Sequence, residues 1–143
     1  MPRSLAARKK LRPPERDYSH RSLLDKLGIK PGHRITALGV ADSAFLADLA
    51  SRVPEFSRGP VTEPADIIFL AAEEISDLAR LKALAKAIHK NGAIWVVYPK
   101  GQKHIREVDV IAAGKSAGLT DNKVCKFSET HTALRFVIPL AKR

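Results

Sequence analysis

Apolar residues along this chain alternate between unbroken runs and three- and four-residue steps. Arg34 to Val40 (RITALGV), Asp66 to Ala71 (DIIFLA) and Ala93 to Tyr98 (AIWVVY) are the runs, the pattern of parallel strands covered on both faces. Between them the spacing is helical. Asp42 to Val53 places Phe45, Leu46, Leu49 and Val53 on one stripe, with Asp42 or Ser43 as N-cap and Pro54 as stop. Glu73 to Lys90 does the same with Ile75, Leu78, Leu81, Leu84 and Ile88. Its acids, Glu73, Glu74 and Asp77, open the segment and its bases, Lys86, His89 and Lys90, close it before Asn91-Gly92, as the helix dipole favours.

Shorter signals complete the pattern. A helix over HRSLLDKL, capped by Ser19 and closed by Gly28, precedes the first strand, and Pro31-Gly32 forms a turn. A further helix is predicted from about Ile105 to Ala117, weakened by Gly114 and ended by Gly118. Three prolines within residues 54–65 leave room only for a short edge strand near Val61. Asn122 to Ser128 and Ala133 to Leu140 read as two strands around the turn Glu129 to Thr132. Strands alternating with helices imply an α/β three-layer sandwich, its mostly parallel sheet closed by a C-terminal antiparallel hairpin, with Trp95 packed between sheet and helix.

The 143 residues suffice for one domain with a substantial core. That domain is expected over residues 18–143, after a basic tail at 1–17. The formal charge is +10, and residues 1–21 carry half of it, with seven basic side chains against Glu15 and Asp17. An arm containing Arg3, Arg8, Lys9, Lys10 and Arg12 attracts nucleic acid or another polyanion by counterion release, although no aromatics are interleaved to stack on bases. The plainer role of such a terminus is to keep the protein soluble. No apolar run approaches the roughly 20 residues of a membrane span, and no apolar stretch follows the basic start as in a secretory signal. One cysteine, Cys125, permits no internal disulfide, so a reducing, cytoplasmic location is expected.

The segments LLDKLGIKPGHRITALG, NGAIWVVYPKG and GLTDNKVCKFSETHTALRFVIPL resemble a family of short bacterial proteins of unknown function, over roughly residues 18–140. The motifs that carry the likeness are LGIKPG, Trp95-Val96 with Pro99-Lys100, and Gly118-Leu119 with Asp121 to Cys125. More distantly, the order of elements is similar to methyltransferase-like Rossmann folds. That resemblance implies a cofactor loop after the first strand, rich in glycine so that S-adenosylmethionine can rest on bare backbone, and a carboxylate at the next strand end for the ribose hydroxyls. The chain departs from both. Gly39 is followed by Val40, Ala41 and Asp42, and S-adenosylmethionine in the usual pose is not expected. No cofactor is assigned, and the phosphate loop of nucleotide hydrolases is absent.

Candidate chemistry lies beyond the carboxyl ends of the strands, where open α/β sheets hold ligands. Asp42, Glu73, Glu74, Lys100 and the turn Glu129 to His131 fall there, the carboxylates reading first as helix caps and first-turn residues. The loop PKGQKH leads into a helix, and Lys100, Lys103 and His104, joined by Glu129 and His131 from the hairpin, are the candidate site for a small anionic ligand. The five histidines show no metal-ligand spacing, so no metal is expected. No serine sits in a GxSxG elbow, and Cys125 reads as a buried, inert thiol. The function expected is a non-catalytic binding or regulatory module on a degenerate methyltransferase-like framework. The alternatives are a divergent methyltransferase or other small enzyme acting on an anionic ligand, and a nucleic-acid-associated protein acting through the arm.

Overall fold

A computed structural model of the chain describes residues 22–143. Ser19, the arm residues Arg3, Arg8, Lys9, Lys10 and Arg12, and the rest of the first 21 residues lie outside the described part. The first helix, α1 (Leu23–Lys26), is capped by Ser22, whose hydroxyl accepts the Asp25 N–H at 3.2 Å. Strand β1 (Ile35–Leu38) is buried at every position and ends at Gly39, where φ of +75° turns the chain. Helix α2 (Ser43–Arg52) follows, capped by Asp42 through a 3.0 Å bond from the Phe45 N–H.

Strand β2 (Ala65–Ala71) leads into a 3₁₀ turn, Ile75–Arg80, and a single α-turn, α3 (Leu81–Leu84). Strand β3 (Ile88–Pro99), helix α4 (Glu107–Ser116), and the hairpin strands β4 (Thr120–Lys126) and β5 (His131–Val137) complete the order. The sheet runs β1-β2-β3-β5-β4. β1, β2 and β3 are parallel, and β5 inserts antiparallel between β3 and β4. The fold is therefore the expected α/β sandwich of Rossmann type, but the sheet is open. The hairpin extends one edge of it and closes nothing.

Alternation along the strands builds two cores. Ile68 and Leu70 of β2, Ile94 and Val96 of β3, and Leu134 and Phe136 of β5 face Leu78, Leu81, Ile105 and Val110. Ile67, Phe69, Trp95, Val97 and Ala133 face α1 and α2 through Leu24, Leu27, Phe45 and Leu49. Trp95 is fully buried and donates its indole N–H to the Leu27 carbonyl at 3.1 Å, fixing α1 on the sheet.

Three expectations change. The helix read over Glu73 to Lys90 is two short turns, because Ile88 belongs to the sheet and pairs with Ala65. His89 to Asn91 are exposed in an irregularity of β3, and Gly92 is needed there because a Cβ would stand 2.8 Å from the Asp66 carbonyl. No strand forms at Val61. The edge contact is made instead by Ser57, bridged to Thr36 through bonds of 2.8 and 2.9 Å. The hairpin strands begin two residues earlier than the sequence pattern places them, at Thr120 and His131.

Candidate ligand cleft

The helices after β1 and β2 lie on opposite faces of the sheet, α2 in one core and the Ile75–Leu84 turns in the other. Parallel strands joined by right-handed crossovers require this when the chain leaves in opposite directions along the sheet. From β1 it runs through α2 to the Ser57 bridge on the outer side, whereas from β2 it runs inward to β3. The backbone consequently parts between the ends of β1 and β2, and such a switch point is where open α/β sheets leave a crevice.

A cleft of about 430 Å³ occupies that position. Gly39 to Asp42 form one wall, Ala71 and Glu73 the second, and Val97 with Phe127, Ser128, Thr130 and His131 the third. Its apolar floor, from Val40, Ala71, Val97 and Phe127, sits below a polar rim, the arrangement common to small-molecule sites. The turn after β1 offers bare backbone only at Gly39. Val40 is 2% exposed, and its carbonyl accepts a 3.0 Å bond from the Arg58 guanidinium.

The hairpin turn reaches the cleft through a chain of polar groups. His131 Nε2 donates to the Glu73 carboxylate at 2.7 Å, and Nδ1 lies 2.8 Å from Thr130 Oγ1. With the proton on Nε2, Nδ1 accepts the threonine hydroxyl; as imidazolium, the ring donates at both ends, so both forms are satisfied. Ser128 Oγ accepts the N–H groups of Thr130 and His131 at 3.3 and 3.2 Å, which shapes the turn. Glu73 is free to meet His131 because Asp77 accepts the Glu73 and Glu74 N–H groups at 3.0 and 3.1 Å. Asp42 lines the cleft while capping α2. Both carboxylates were legible as rim residues, but reading them as helix-end residues concealed that Glu73 faces a histidine 58 positions away.

Of the five residues singled out from the sequence, three line one or other of two neighbouring depressions. His131 lines the cleft. Lys100 and Lys103 line a shallow depression of about 390 Å³ beside Tyr98, Arg106, Glu107 and Thr132. The segments do converge: Pro99 pairs with His131, and the Lys100 N–H donates to the Thr130 carbonyl at 3.0 Å. His104 sits on the rim, where its Nε2 meets the Glu73 carbonyl at 2.9 Å. Glu129 is exposed and pairs with Lys126 at 3.1 Å. The hydrogen bond and charge of Lys126, with a smaller field from Lys100, hold its carboxyl below the usual range.

Within the depression Arg106 is engaged by Asp109 at 3.3 Å, which leaves Lys100 and Lys103 as the lysines lining it. Burial, aided by the charge and hydrogen bond of Glu107, pushes the Tyr98 phenol up to about 12, so it is neutral and a donor. Cys125 is buried, and that burial raises its thiol against the opposing fields of Lys123 and Lys26. The burial that the sequence implies for this thiol is thus present. No described helix is long and apolar enough to cross a membrane.

No protein-family model matches the sequence, and no curated protein matches it. Solved structures do. A SAM-dependent methyltransferase from Aquifex aeolicus aligns with a TM-score of 0.64 at 14% identity, over 82% of this chain and 88% of that one. A TehB-like SAM-dependent methyltransferase from Corynebacterium glutamicum gives 0.54 at 12% identity, over 85% and 91%. The O-methyltransferase NcsB1 of neocarzinostatin biosynthesis, in complex with S-adenosylmethionine and a naphthoic acid, gives 0.57 at 14% identity, over 75% of this chain. The chain spans only 49% of the NcsB1 length. At such identities the likeness is one of fold: the chain carries the Rossmann-like α/β sheet that these methyltransferases share.

Proposed function

We propose that the protein is a small-ligand-binding α/β module on a methyltransferase-like framework, and that it binds its ligand in the cleft at the ends of β1 and β2. The observation that carries this reading is the cleft's construction. An apolar floor is walled by Asp42, Glu73 and His131 at the switch point of the sheet, in a volume of about 430 Å³. Glu73 and His131 orient the polar part of the ligand. Lys100 and Lys103, reached over the rim past Thr130 and His104, receive an anionic substituent, while the exposed carboxylate of Glu129, paired with Lys126, bounds that path.

S-adenosylmethionine does not suit this cleft in its usual pose. The turn that would cradle it has one glycine. At the outer strand position, where the resemblance calls for a ribose-binding carboxylate, stands Arg58, whose guanidinium is spent on the Val40 carbonyl. A divergent methyltransferase is the second reading. It is favoured by the fold of the solved relatives, two of which are SAM-dependent methyltransferases of similar span.

A thermal-shift screen of metabolites, nucleotides and S-adenosylmethionine tests the first reading. A specific ligand raises the melting temperature of the native chain and fails to raise that of Glu73→Gln or His131→Ala. A ligand whose effect persists in both variants would remove the cleft from the account.

A further inference from the structure

The hairpin side of the sheet, away from the cleft, carries a row of cations. Lys123 on β4 is in register with Arg135 on β5, so their backbones lie about 5 Å apart. Lys123 extends its ammonium to the Lys26 carbonyl of α1 at 2.9 Å. On the other side Arg143, anchored by a 2.7 Å bond from its Nε to the Ile138 carbonyl, adds its charge to the field at Arg135. Among the carboxylates nearest in sequence, Asp25 pairs with Arg52 at 2.8 Å, and Asp121, beyond an irregularity in β4, registers with Phe136, whose side chain belongs to the other face.

Arg135 is the informative member. It is half-buried, beside Trp95 in the strand register, and among the described residues it has no hydrogen-bond or ion-pair partner. A guanidinium removed from water beside other cations is unfavourable until an anion meets it. A stem lying on apolar surface with its head in water explains an isolated arginine. It does not explain why Lys123 stands in register beside it, why Arg143 adds its charge at the same head, and why Lys26 and Lys123 both reach the field of neighbouring Cys125.

We propose that this face binds the phosphodiester backbone of nucleic acid, without reading bases. Three features select that polyanion. The cations form an extended row across α1, β4, β5 and the C-terminal turn, which suits successive phosphates better than one small anion. The row contains two arginines, whose planar fork matches phosphate oxygens. It also begins on α1, directly after the segment 1–21 with its net charge of +5, so the basic arm and the basic face are continuous along the chain. None of the exposed large apolar side chains is aromatic, so base stacking contributes nothing from the described part.

Fluorescence anisotropy with a labelled 20-base-pair duplex, using the full chain from 50 to 200 mM NaCl, tests this. Each phosphate contact contributes about 0.9 to the slope of log K against log salt. The variant Lys26→Ala/Lys123→Ala/Arg135→Gln is expected to bind at least about tenfold more weakly at 50 mM and to lose about 2–3 from the slope. If it does not fold, Lys26→Ala/Lys123→Ala alone is expected to lose nearly 2. Lys100→Ala/Lys103→Ala, beyond the carboxyl end of β3, is expected to leave the slope unchanged. An unchanged slope in the first variant, equal losses in both variants, or tighter binding to phosphatidylserine vesicles than to the duplex would overturn the proposal.

Discussion

Gly114 sits in the last turn of α4, where alanine in place of glycine ordinarily strengthens a helix by up to about 1 kcal/mol. Here Gly114→Ala should weaken the protein. A Cβ at this position would stand 2.0, 2.5 and 2.6 Å from three atoms of the Phe136 ring, whereas carbon atoms settle at about 3.5–4.0 Å. Phe136 is fully buried on the central antiparallel strand and has no solvent side to turn into. Either the ring leaves its rotamer or α4 lifts off the sheet, and overpacking of this kind costs about 1–3 kcal/mol. Three overlapping atoms place the cost at or above the top of that range. After the helix gain is subtracted, the net loss is about 2 kcal/mol or more, a fall in melting temperature of at least about 5 °C. Urea denaturation of Gly114→Ala, Phe136→Leu and the double variant measures it. The two substitutions should couple by more than about 1 kcal/mol, because the smaller leucine makes room for the methyl group. A Gly114→Ala protein as stable as the native one would refute the close packing of α4 on β5.

Asp42→Ala removes the N-cap of α2 and should cost about 1 kcal/mol in urea denaturation. Glu73→Gln should change stability by less than about 1 kcal/mol, since the pair with His131 is exposed on the carboxylate side, while abolishing any ligand-induced thermal shift. Tyr98 gives a pH dependence. Its ordinary value of 10.0 is raised to about 12 in the fold, so the unfolded chain releases this proton first and stability falls as pH rises from about 10 to about 12. Against Tyr98→Phe the native protein should lose about 1–2 kcal/mol more over that range, allowing for solvent at the hydroxyl. Parallel profiles for the two proteins would contradict the buried phenol.

The buried strands were the most legible part of the chain, because β2 and β3 are covered on both faces and, after Asp66 at the strand start, IIFLA and AIWVVY are apolar throughout but for the Tyr98 hydroxyl. The long helix over Glu73 to Lys90 was misread for a physical reason. Ile88 continues the helical spacing of Leu81 and Leu84, but its burial comes from pairing with Ala65, a contact that local spacing does not carry. Asn91-Gly92 resembles a helix stop and is in fact a strand irregularity set by the approach of the Asp66 carbonyl. The edge strand β4 shows little alternation because most of its residues are exposed, Cys125 being its buried position. At the site, the strand-end rule located the rim and the convergence of PKGQKH with the hairpin turn. It did not show that Val97 and Tyr98 face opposite cores, which separates His131 and Glu73 from Lys100 and Lys103.

The claim most exposed to test is that the cleft keeps the framework of a methyltransferase without its cofactor cradle. Isothermal titration calorimetry of the full chain with S-adenosylmethionine decides it. With Val40 and Ala41 filling the turn after Gly39 and Arg58 bonded to the Val40 carbonyl, no saturable heat is expected below about millimolar ligand. A stoichiometric isotherm with a dissociation constant of about 1–10 μM would contradict the account and make the divergent methyltransferase the better reading.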